Sequence, residues 1–597
     1  MTEKKLSGIA ASPGIVYGKV FLFDVQEDNI VSTHVAAAKL PFEIARLEEA
    51  LIITRREILD IQQRLSERLG VRHAEIFNAH LMVLEDRSLL EEVIKKLEKD
   101  QKNVEFVFNE VIQRYSEIFS QMEDEYLKER VTDIKDVARR VLHNLMGKKR
   151  QDLSHLTNEV IVIASDLSPS DTALMHTDKI IGFATDAGSR TSHTAIMART
   201  LEIPAVVGLH DISSKVKTGD WILLDGKRGI VVINPSKATT KKYKQQRLSY
   251  IRFEKRLEEL RDLPATTRDG KKIIVAANIE LPDDVSSVIS HGACGVGLYR
   301  TEFLYMNRTD LPSEEEQYAA YNAVATKLYP HDVIIRTLDL GGDKFASQLD
   351  VPREMNPFLG WRAIRFCLER LDIFEVQLRA ILRASVSSNV KLMYPMISTV
   401  SEVIEANKVL ESVKNKMRSE GIAFNNDVEV GVMIEIPSAA LTADIIAKYV
   451  DFFSIGTNDL IQYSLAVDRI NEKVAYLYEP GNLGVLRLIK NVIECGHKEN
   501  ILVGMCGEMA SEPEWIIVLL GMGLDEFSTS PSSVPEVKKV IRSVNFSEVK
   551  ALSEKVLTLD STQKVHKKVV DYLKAILPEI VKTRDIATTA KRLHKAL

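Results

Sequence analysis

Hydrophobic positions recur with two different periods along the chain, and the change of period divides it into regions. Between residues 35 and 147, apolar positions repeat at steps of three and four, which predicts amphipathic helices over roughly 71–84, 88–99, 103–121 and 124–146. An earlier helix has its apolar stripe at Ile44, Leu47, Leu51, Thr54, Ile58, Ile61 and Leu65. The helical region, 35–147, is either a scaffold or a docking surface for a protein partner.

Short apolar runs bounded by Pro, Gly and Asp flank this helical region and predict strands. One run, 14–23, precedes it, and the others are 160–164, 179–184, 205–208, 221–224 and 229–233. Together they predict a compact α/β subdomain built from 1–34 and 148–235, with the helical region inserted in it. The charged segment 236–264 ends at Pro264 and predicts a linker helix.

From residue 272 onward, strand and helix patterns alternate strictly. Eight βα units predict a (β/α)8 TIM barrel over 265–577, and a doubly wound open sheet is the alternative. A C-terminal tail, 578–597, follows the barrel; it is basic from Lys582 onward, and we expect a solvated helix there rather than a binding element. The strand candidates are 272–280, 295–300, 333–340, 390–396, 428–436, 452–459, 501–508 and 524–530.

Length and composition narrow the class of protein. A chain of 597 residues is too long for one core, and a formal net charge of -5 gives no footprint for nucleic acid. The N-terminus has no apolar leader, and no apolar run is long enough to span a membrane, so we expect a cytoplasmic protein. The four cysteines lack CxxC spacing, so neither a zinc site nor a disulfide framework is indicated.

His193 lies in a segment suited to carrying a phosphoryl group. Small and hydroxyl residues precede it, and the residues from Ala195 to Arg199 are typical of a first helical turn, whose N-terminus favours an anion. Arg190 adds a bidentate phosphate donor. The alternative is a histidine that only caps the helix.

Polar residues follow several predicted barrel strands, where the active site of a TIM barrel lies. Arg300 and Arg336 could clamp a phosphate and a carboxylate, and Arg469 could join them. Glu435 and Asp459 are hard oxygen donors suited to Mg²⁺. A salt-bridge network at the barrel mouth would use the same residues.

Cys506 lies between glycines in the segment Gly504-Met505-Cys506-Gly507 at the end of the seventh predicted strand. Packing is the commonest fate of a free thiol. Its place at a strand end favours contact with a substrate, where it could give or take a proton.

These segments resemble Enzyme I of the sugar phosphotransferase system, the phosphoenolpyruvate-protein phosphotransferase family, nearly from end to end. The resemblance implies an α/β multidomain fold: a phosphohistidine α/β subdomain with an inserted helical bundle that binds the histidine-carrier protein HPr, a linker helix, and a C-terminal TIM barrel. That barrel would bind phosphoenolpyruvate and form a homodimer. The motifs are GSRTSHTAIMAR around His193, GLYRTEFLYM at 297–306, RTLDLGGDK at 336–344, NPFLGWRAIR at 356–365, MIEIPSAA at 433–440, DFFSIGTNDLIQYSLAVDR at 451–469 and GMCGEMA at 504–510.

The resemblance also implies roles for individual residues. His193 would accept the phosphoryl group on Nε2, Cys506 would protonate the enolate carbon as pyruvate forms, and Glu435 with Asp459 would hold Mg²⁺. Because His193 lies outside the barrel, its subdomain would swivel between the barrel and HPr. The residues implied to bind phosphoenolpyruvate or to support the site are Arg300, Arg336, Asn458, Asp459, Arg469, Arg362, Lys344, Arg190 and Ser168.

Two positions depart from the family pattern. Ser189 replaces a glycine, which would strain the loop if its φ is positive. Ser168 replaces a threonine that hydrogen-bonds the active histidine, and it keeps the hydroxyl. Two alternatives stay open: a pyruvate phosphate dikinase-like enzyme, for whose nucleotide-binding domain the chain has no room, and a regulatory, nitrogen-type paralogue that lacks its GAF domain.

Overall fold

A computed structural model describes residues 3–23, 30–69, 76–121, 125–147, 153, 156, 158–168, 171–172, 175, 179–188, 192–201, 203–306, 308, 310–341, 356–469, 471 and 473–584. The chain divides into two compact units, Met1–Ser249 and Tyr250–Leu597. None of the helices among the described residues is long and apolar enough to cross a membrane.

The first unit contains an eight-stranded sheet of mixed direction. The spatial order is β1-β8-β7-β3-β4-β5-β6-β2. The four consecutive strands β3, β4, β5 and β6 are parallel to one another. The remaining contacts between neighbouring strands are antiparallel. The strands are β1 (Lys4–Ser7), β2 (Ile9–Ser12), β3 (Ile15–Phe23), β4 (Val160–Ala164), β5 (Ile180–Thr185), β6 (Ala205–Val207), β7 (Trp221–Asp225) and β8 (Ile230–Ile233).

Helices inserted between β3 and β4 form a separate hydrophobic core. Burying one apolar stripe per helix is the packing that the three- and four-residue spacing predicted. Met197, from the helix that begins at His193, also packs in this core. The helices of this unit are α1 (Leu40–Leu69), α2 (Ile76–Leu84), α3 (Arg87–Asp100), α4 (Val104–Gln121), α5 (Glu125–Met146), α6 (His193–Thr200), α7 (Ile212–Lys215) and α8 (Lys237–Glu258), which continues past Ser249.

The second unit is a closed barrel of eight strands. Each strand pairs in parallel with the next, and the last pairs with the first through Glu526 beside Ile274. This closure confirms the TIM barrel and excludes the open sheet. The strands are β9 (Ile274–Ile279), β10 (Val296–Tyr299), β11 (Val333–Arg336), β12 (Val390–Tyr394), β13 (Val430–Ile434), β14 (Phe452–Ile455), β15 (Leu502–Met505) and β16 (Glu526–Thr529).

Helices follow the strands and cover the barrel. Strand side chains alternate between the barrel interior and the helical layer, so the unit has two hydrophobic cores. The helices are α9 (Val285–Ser290), α10 (Glu314–Leu328), α11 (Ile364–Glu369), α12 (Leu371–Ala384), α13 (Val400–Glu420), α14 (Pro437–Leu441), α15 (Ala443–Ile446), α16 (Thr457–Leu465), α17 (Leu483–Lys498), α18 (Pro513–Met522), α19 (Val534–Arg542), α20 (Phe546–Leu557), α21 (Thr562–Ile576) and α22 (Pro578–Arg584).

Several local predictions need correction or stay open. The third and seventh predicted barrel strands, 333–340 and 501–508, end early, at Arg336 and Met505. The sixth predicted barrel strand, 452–459, ends at Ile455, because α16 begins at Thr457 and takes Asn458 and Asp459 into its first turn. The short strands β1 and β2 were not predicted. The predicted limits of the subdomains stay predictions, and the tail beyond Arg584 lies outside the described residues.

Candidate active site

His193 is the first residue of α6, and two neighbouring hydroxyl groups fix this helix start. Ser192 is the N-cap, and its Oγ accepts a hydrogen bond from the backbone N of Ala195 at 3.3 Å. Thr194 Oγ1 donates to the carbonyl oxygen of Leu167 at 2.9 Å, which ties the helix start to the segment after β4. The helix is therefore anchored where the sequence predicted an anion-binding turn, while the side chain of His193 lies outside the described residues.

Ser168 lies beside Leu167 and makes a local network with Asp171. Its hydroxyl donates to Asp171 Oδ2 at 2.7 Å, and its Oγ accepts from the backbone N of Asp171 at 3.2 Å. A contact between Ser168 and His193 stays a prediction. Ser189, Arg190 and Lys344 also lie outside the described residues, so the predicted effect of Ser189 on the loop stays open.

Arg336 is the last residue of β11 and is almost completely buried at the C-terminal end of the barrel. Its Nη2 donates to Glu302 Oε1 at 2.8 Å, and its Nη1 is 2.9 Å from Asp339 Oδ2. Burial by itself lowers the pKa of Arg336. Glu302, Asp339 and Glu435 together raise that pKa by more, so the net shift is upward. The guanidinium is thus a permanent buried cation at the rim.

Arg362 shares the Asp339 carboxylate with Arg336. Its Nη2 donates to Asp339 Oδ1 at 2.7 Å and lies 3.8 Å from Asp459 Oδ2. The backbone of the next residue, Ala363, has φ +53°, a conformation that costs free energy for a residue with a Cβ. The structure therefore holds a strained turn beside this arginine.

Glu435 follows β13 and is 2% exposed. Its Oε1 accepts a hydrogen bond from the backbone N of Met396 at 2.6 Å. Burial raises the pKa of Glu435 well above its usual range, and Asp339 and Asp459 raise it further, whereas Arg336 opposes the shift. Burial likewise raises the pKa of Asp459, which Arg362 opposes. The negative charge of Asp459 thus adds to the cost of ionising the buried Glu435.

This arrangement fits a divalent cation. Among the residues described, no group of three or more His, Cys, Asp or Glu side chains is placed to hold a metal ion. Mg²⁺ binds through one or two protein carboxylates and takes its other ligands from substrate and water. Glu435 and Asp459 supply that number of carboxylates, and a cation between them would remove the electrostatic cost of ionising both.

Glu508 connects two further predicted site residues. Its backbone N donates to Asn458 Oδ1 at 3.0 Å, and its Oε1 is 3.7 Å from Arg469 Nη1. Arg300, at the end of β10, donates through Nη1 to Glu280 Oε1 at 3.0 Å. Arg300 and Arg469 are partly exposed, so both can turn toward a ligand at little cost.

Cys506 follows β15 and is 5% exposed, and its side chain belongs to the interior core of the barrel. Burial raises the pKa of the Cys506 thiol, although Arg336 and Arg300 are close enough to oppose the shift. The thiol is therefore protonated at neutral pH, as a proton donor must be.

Two glycines permit the close approach of backbone at the rim. A Cβ on Gly456 would lie 2.8 Å from Glu435 Oε2, and a Cβ on Gly507 would lie 1.8 Å from Thr457 Oγ1. Side chains at these positions would displace the strand ends that carry Glu435 and Cys506. Both glycines thus serve the geometry of the site.

The structure brings the predicted barrel residues that it describes to one rim, whereas His193 and Ser168 belong to the other unit. The prediction missed the partners that orient these residues, chiefly Asp339, Glu302, Met396 and Glu508. Asp339 follows Arg336 by three residues at a strand end, and this spacing could have indicated it. Nothing in the local sequence of Met396 indicates its contact with Glu435.

Comparisons with known proteins agree along most of the chain. Residues 7–130 match the family described as PEP-utilising enzyme, N-terminal; residues 156–229 match its mobile domain, and residues 254–546 match its PEP-binding domain. The phosphoenolpyruvate-protein phosphotransferase of Staphylococcus carnosus is 45% identical over 96% of this chain and 99% of its own length. Those of Geobacillus stearothermophilus and Bacillus subtilis are each 46% identical over 94% of this chain, covering 97% and 98% of their own lengths.

Identity at this level over nearly the full length of both chains agrees with the structure described above, which has a barrel with polar residues at its rim and a separate subdomain that carries His193. The chain belongs to the phosphoenolpyruvate-protein phosphotransferase (Enzyme I) family.

Proposed function

We propose that this chain takes the phosphoryl group of phosphoenolpyruvate onto His193, releases pyruvate, and passes the group to a histidine of HPr or an HPr-like protein. The transfer would be the first step of a sugar-uptake phosphorelay. The observation that carries the proposal is the paired burial of Arg336 and Arg362 around Asp339, beside the two carboxylates Glu435 and Asp459. Buried guanidinium groups suit a substrate with two anionic groups better than a neutral one, and the two carboxylates suit a cation that such a substrate would bring with it.

Phosphoenolpyruvate carries a carboxylate and a phosphate, and the rim supplies donors for both. Arg300, Arg336 and Arg469 would bind these groups with the amide of Asn458. Arg362 would support them through its ion pairs with Asp339 and Asp459. Since Arg336 is already fixed by two carboxylates, its orientation requires little reorganisation when the substrate binds.

Glu435 and Asp459 would hold Mg²⁺. When bound, the ion would screen negative charge on the phosphoryl group during transfer. The raised pKa values of Glu435 and Asp459, which burial causes first, support this role, because a cation would favour the ionised form of both.

The acceptor and the proton donor would lie in different units of the chain. Neutral imidazole of His193 would attack phosphorus, because the protonated ring has no free lone pair. Cys506 would give its proton to C3 of the enolate left behind, which then leaves as pyruvate. A swivel of the histidine-bearing subdomain between the barrel and HPr follows from this separation and from the proposed chemistry.

HPr would bind the helical region, and the barrel would form the homodimer. Exposed apolar side chains on α1 and α2, among them Ile52 and Met82, support a protein-binding face there. We expect the protein to act in the cytoplasm, where phosphoenolpyruvate is available.

The proposal is tested by transfer of radiolabel from phosphoenolpyruvate to a candidate acceptor. Purified chain, Mg²⁺ and labelled phosphoenolpyruvate are incubated with HPr or with a nitrogen-type HPr paralogue, each with and without its acceptor histidine. Label on HPr that disappears with its histidine supports the proposal. Label on the paralogue alone would assign the chain to the regulatory branch, and no label on either would contradict the proposed function.

A further inference from the structure

Ser454 lies beside Cys506 inside the barrel. On β14, Phe452 belongs to the interior core together with Cys506, whereas Phe453 and Ile455 belong to the outer core. Because successive side chains of a strand alternate between faces, Ser454 faces the interior, as Phe452 does. It is 4% exposed, so its hydroxyl has almost no access to solvent.

The pairing of β14 with β15 places this hydroxyl next to the thiol. Ser454 is the register partner of Gly504, which has no side chain, and Cys506 is the next interior position along the chain. The Ser454 side chain opposes the rise that burial causes in the pKa of the Cys506 thiol, while Cys506 Sγ itself donates to the carbonyl oxygen of Ile455 at 3.9 Å. A hydroxyl beside the sulfur is placed to donate to the thiolate once the thiol has lost its proton.

The backbone of Cys506 is fixed on both sides. Its N–H donates to the carbonyl oxygen of Ile455 at 3.2 Å, and its carbonyl oxygen accepts from Asn278 Nδ2 at 3.0 Å. Asn278 is held in turn by Ser528 Oγ, which donates to Asn278 Oδ1 at 2.6 Å. With the backbone anchored, the orientation of the thiol depends on rotation of its own side chain, which lies between the carbonyl oxygen of Ile455 and the neighbouring interior position of Ser454.

We propose that Ser454 is a positioning residue for proton delivery, holding the Cys506 sulfur in place and donating a hydrogen bond to the thiolate that forms there. The proposal rests on the proposed function, in which Cys506 is the donor. In that step the S–H bond breaks, a C–H bond forms at C3 of the enolate, and the electron pair of the S–H bond stays on sulfur. Water then returns a proton to the thiolate after pyruvate leaves.

Matched substitutions separate the hydroxyl from the shape of the side chain. Ser454→Ala removes the hydroxyl, and the pair Ser454→Thr and Ser454→Val differs in the hydroxyl at nearly equal size. Ser553→Ala is the control, because Ser553 is equally buried in the same unit and donates to Val518 O at 2.7 Å on the outer helical layer. Thermal unfolding of each variant reports whether the barrel stays folded.

The readouts are kcat and KM for pyruvate release and, in a single turnover, the rate of phosphohistidine formation. We expect Ser454→Ala and Ser454→Val to lower kcat about tenfold, since a hydrogen bond to a charged group is lost, with KM for phosphoenolpyruvate nearly unchanged. Ser454→Thr should keep most of the activity. In Ser454→Ala and Ser454→Val, phosphohistidine should form before pyruvate is released. Ser553→Ala should turn over at the wild-type rate.

A double-mutant cycle tests whether Ser454 acts through the thiol. In the Cys506→Ala background, Ser454→Ala should cause no further loss. The role of Ser454 would be overturned by an equal loss of turnover in both backgrounds, or by wild-type turnover of both Ser454→Ala and Ser454→Val. In either case, slow turnover of Cys506→Ala would still agree with the proposed function. Wild-type turnover of Cys506→Ala would overturn both. If Ser454→Ala does not fold, the Thr and Val pair decides.

Discussion

Asp339 and Arg362 form a buried ion pair at the barrel rim, with Asp339 Oδ1 2.7 Å from Nη2 and 3.2 Å from Nε of the arginine. The second oxygen of the same carboxylate is 2.9 Å from Arg336 Nη1. One carboxylate therefore orients two guanidinium groups and partly neutralises both. Neither buried guanidinium group is therefore left unpaired before an anionic substrate binds.

We expect Asp339→Asn to lower kcat/KM for phosphoenolpyruvate by about 10- to 100-fold, because both arginines lose the partner that orients them. The substitution should also destabilise the barrel by about 3 kcal/mol, as the loss of one member of a buried ion pair does. Steady-state kinetics and urea unfolding measure the two effects. Asp310→Asn is the control, since Asp310 pairs with Arg308 at the surface; equal losses in the two variants would argue against the orienting role of Asp339.

Replacement of His193 by alanine should abolish covalent labelling of the chain by phosphoenolpyruvate. Binding of phosphoenolpyruvate to the barrel should persist, because the rim residues belong to the other unit. Labelling is followed as acid-labile, alkali-stable phosphate, and binding by calorimetry. His34→Ala, which removes an exposed histidine of the same unit, should label normally. Acid-labile phosphate on the His193→Ala protein would refute the assignment of the acceptor.

Glu435→Gln and Asp459→Asn should each weaken the binding of the Mg²⁺ that turnover requires. Each removes one of the two carboxylates available to the ion, so the Mg²⁺ concentration needed for half-maximal rate should rise by about tenfold or more. Titration of the rate with Mg²⁺ measures it. Glu405→Gln changes an exposed carboxylate on α13 and should leave the Mg²⁺ curve in place. Unchanged curves for both rim variants would exclude the proposed ligands.

Glu526 gives the stability of the barrel a dependence on pH. Its carboxyl group lies against Gly297 and Gly504 in the interior, and burial raises its pKa from 4.5 to about 7, with Lys391 opposing the shift and Asp332 and Asp525 adding to it. Between these two pH values the folded chain keeps a proton that the unfolded chain has lost. The free energy of unfolding therefore falls as pH rises from 4.5 toward 7. Above pH 7, the folded chain bears the whole cost of ionising the buried Glu526 carboxyl group.

Glu526→Gln should remove this cost, since the amide does not ionise. At pH 8 we expect the variant to be more stable than the wild type by up to about 3 kcal/mol, with the difference shrinking toward pH 5. Urea unfolding of the barrel at pH 5, 6, 7 and 8 measures it, with the exposed Glu554→Gln as control. A difference that does not change with pH would show that Glu526 is ionised throughout the range.

Gly507→Ala should disturb the rim through a steric clash. The new Cβ would lie 1.8 Å from Thr457 Oγ1 and 2.7 Å from Thr457 N, so the strand end or α16 must move. We expect destabilisation of about 1–3 kcal/mol and slower pyruvate release. Thr457→Ala in the same chain should restore only part of each loss, because the backbone N remains. In Gly484→Ala the new Cβ meets only Asn482 Oδ1, at 3.1 Å, and this control should behave nearly as the wild type.

The sequence predicted most of the architecture because the signals were local and repeated. Alternating strands and helices predicted the barrel, and three- and four-residue spacing predicted the inserted helices, as the structure confirms. The end of the sixth strand was predicted four residues too late, after Asp459 rather than Ile455. The segment Gly456-Thr457-Asn458-Asp459 directly follows the apolar run of β14, and its last three residues begin a helix instead of extending the strand.

By itself, the sequence determined which residues reach the rim. The apolar pattern of neighbouring residues defines each strand, and a residue that follows the C-terminal end of a strand lies at the rim. Only the tertiary structure decided how those residues are paired. Asp339 bridges Arg336 and Arg362, Met396 holds Glu435, and the pairing of β14 with β15 places Ser454 beside Cys506. These contacts join residues 3 to 52 positions apart in the chain, and closure of the barrel brings such partners within reach. The low-dielectric interior then makes each charge depend on its neighbours, which no local pattern records.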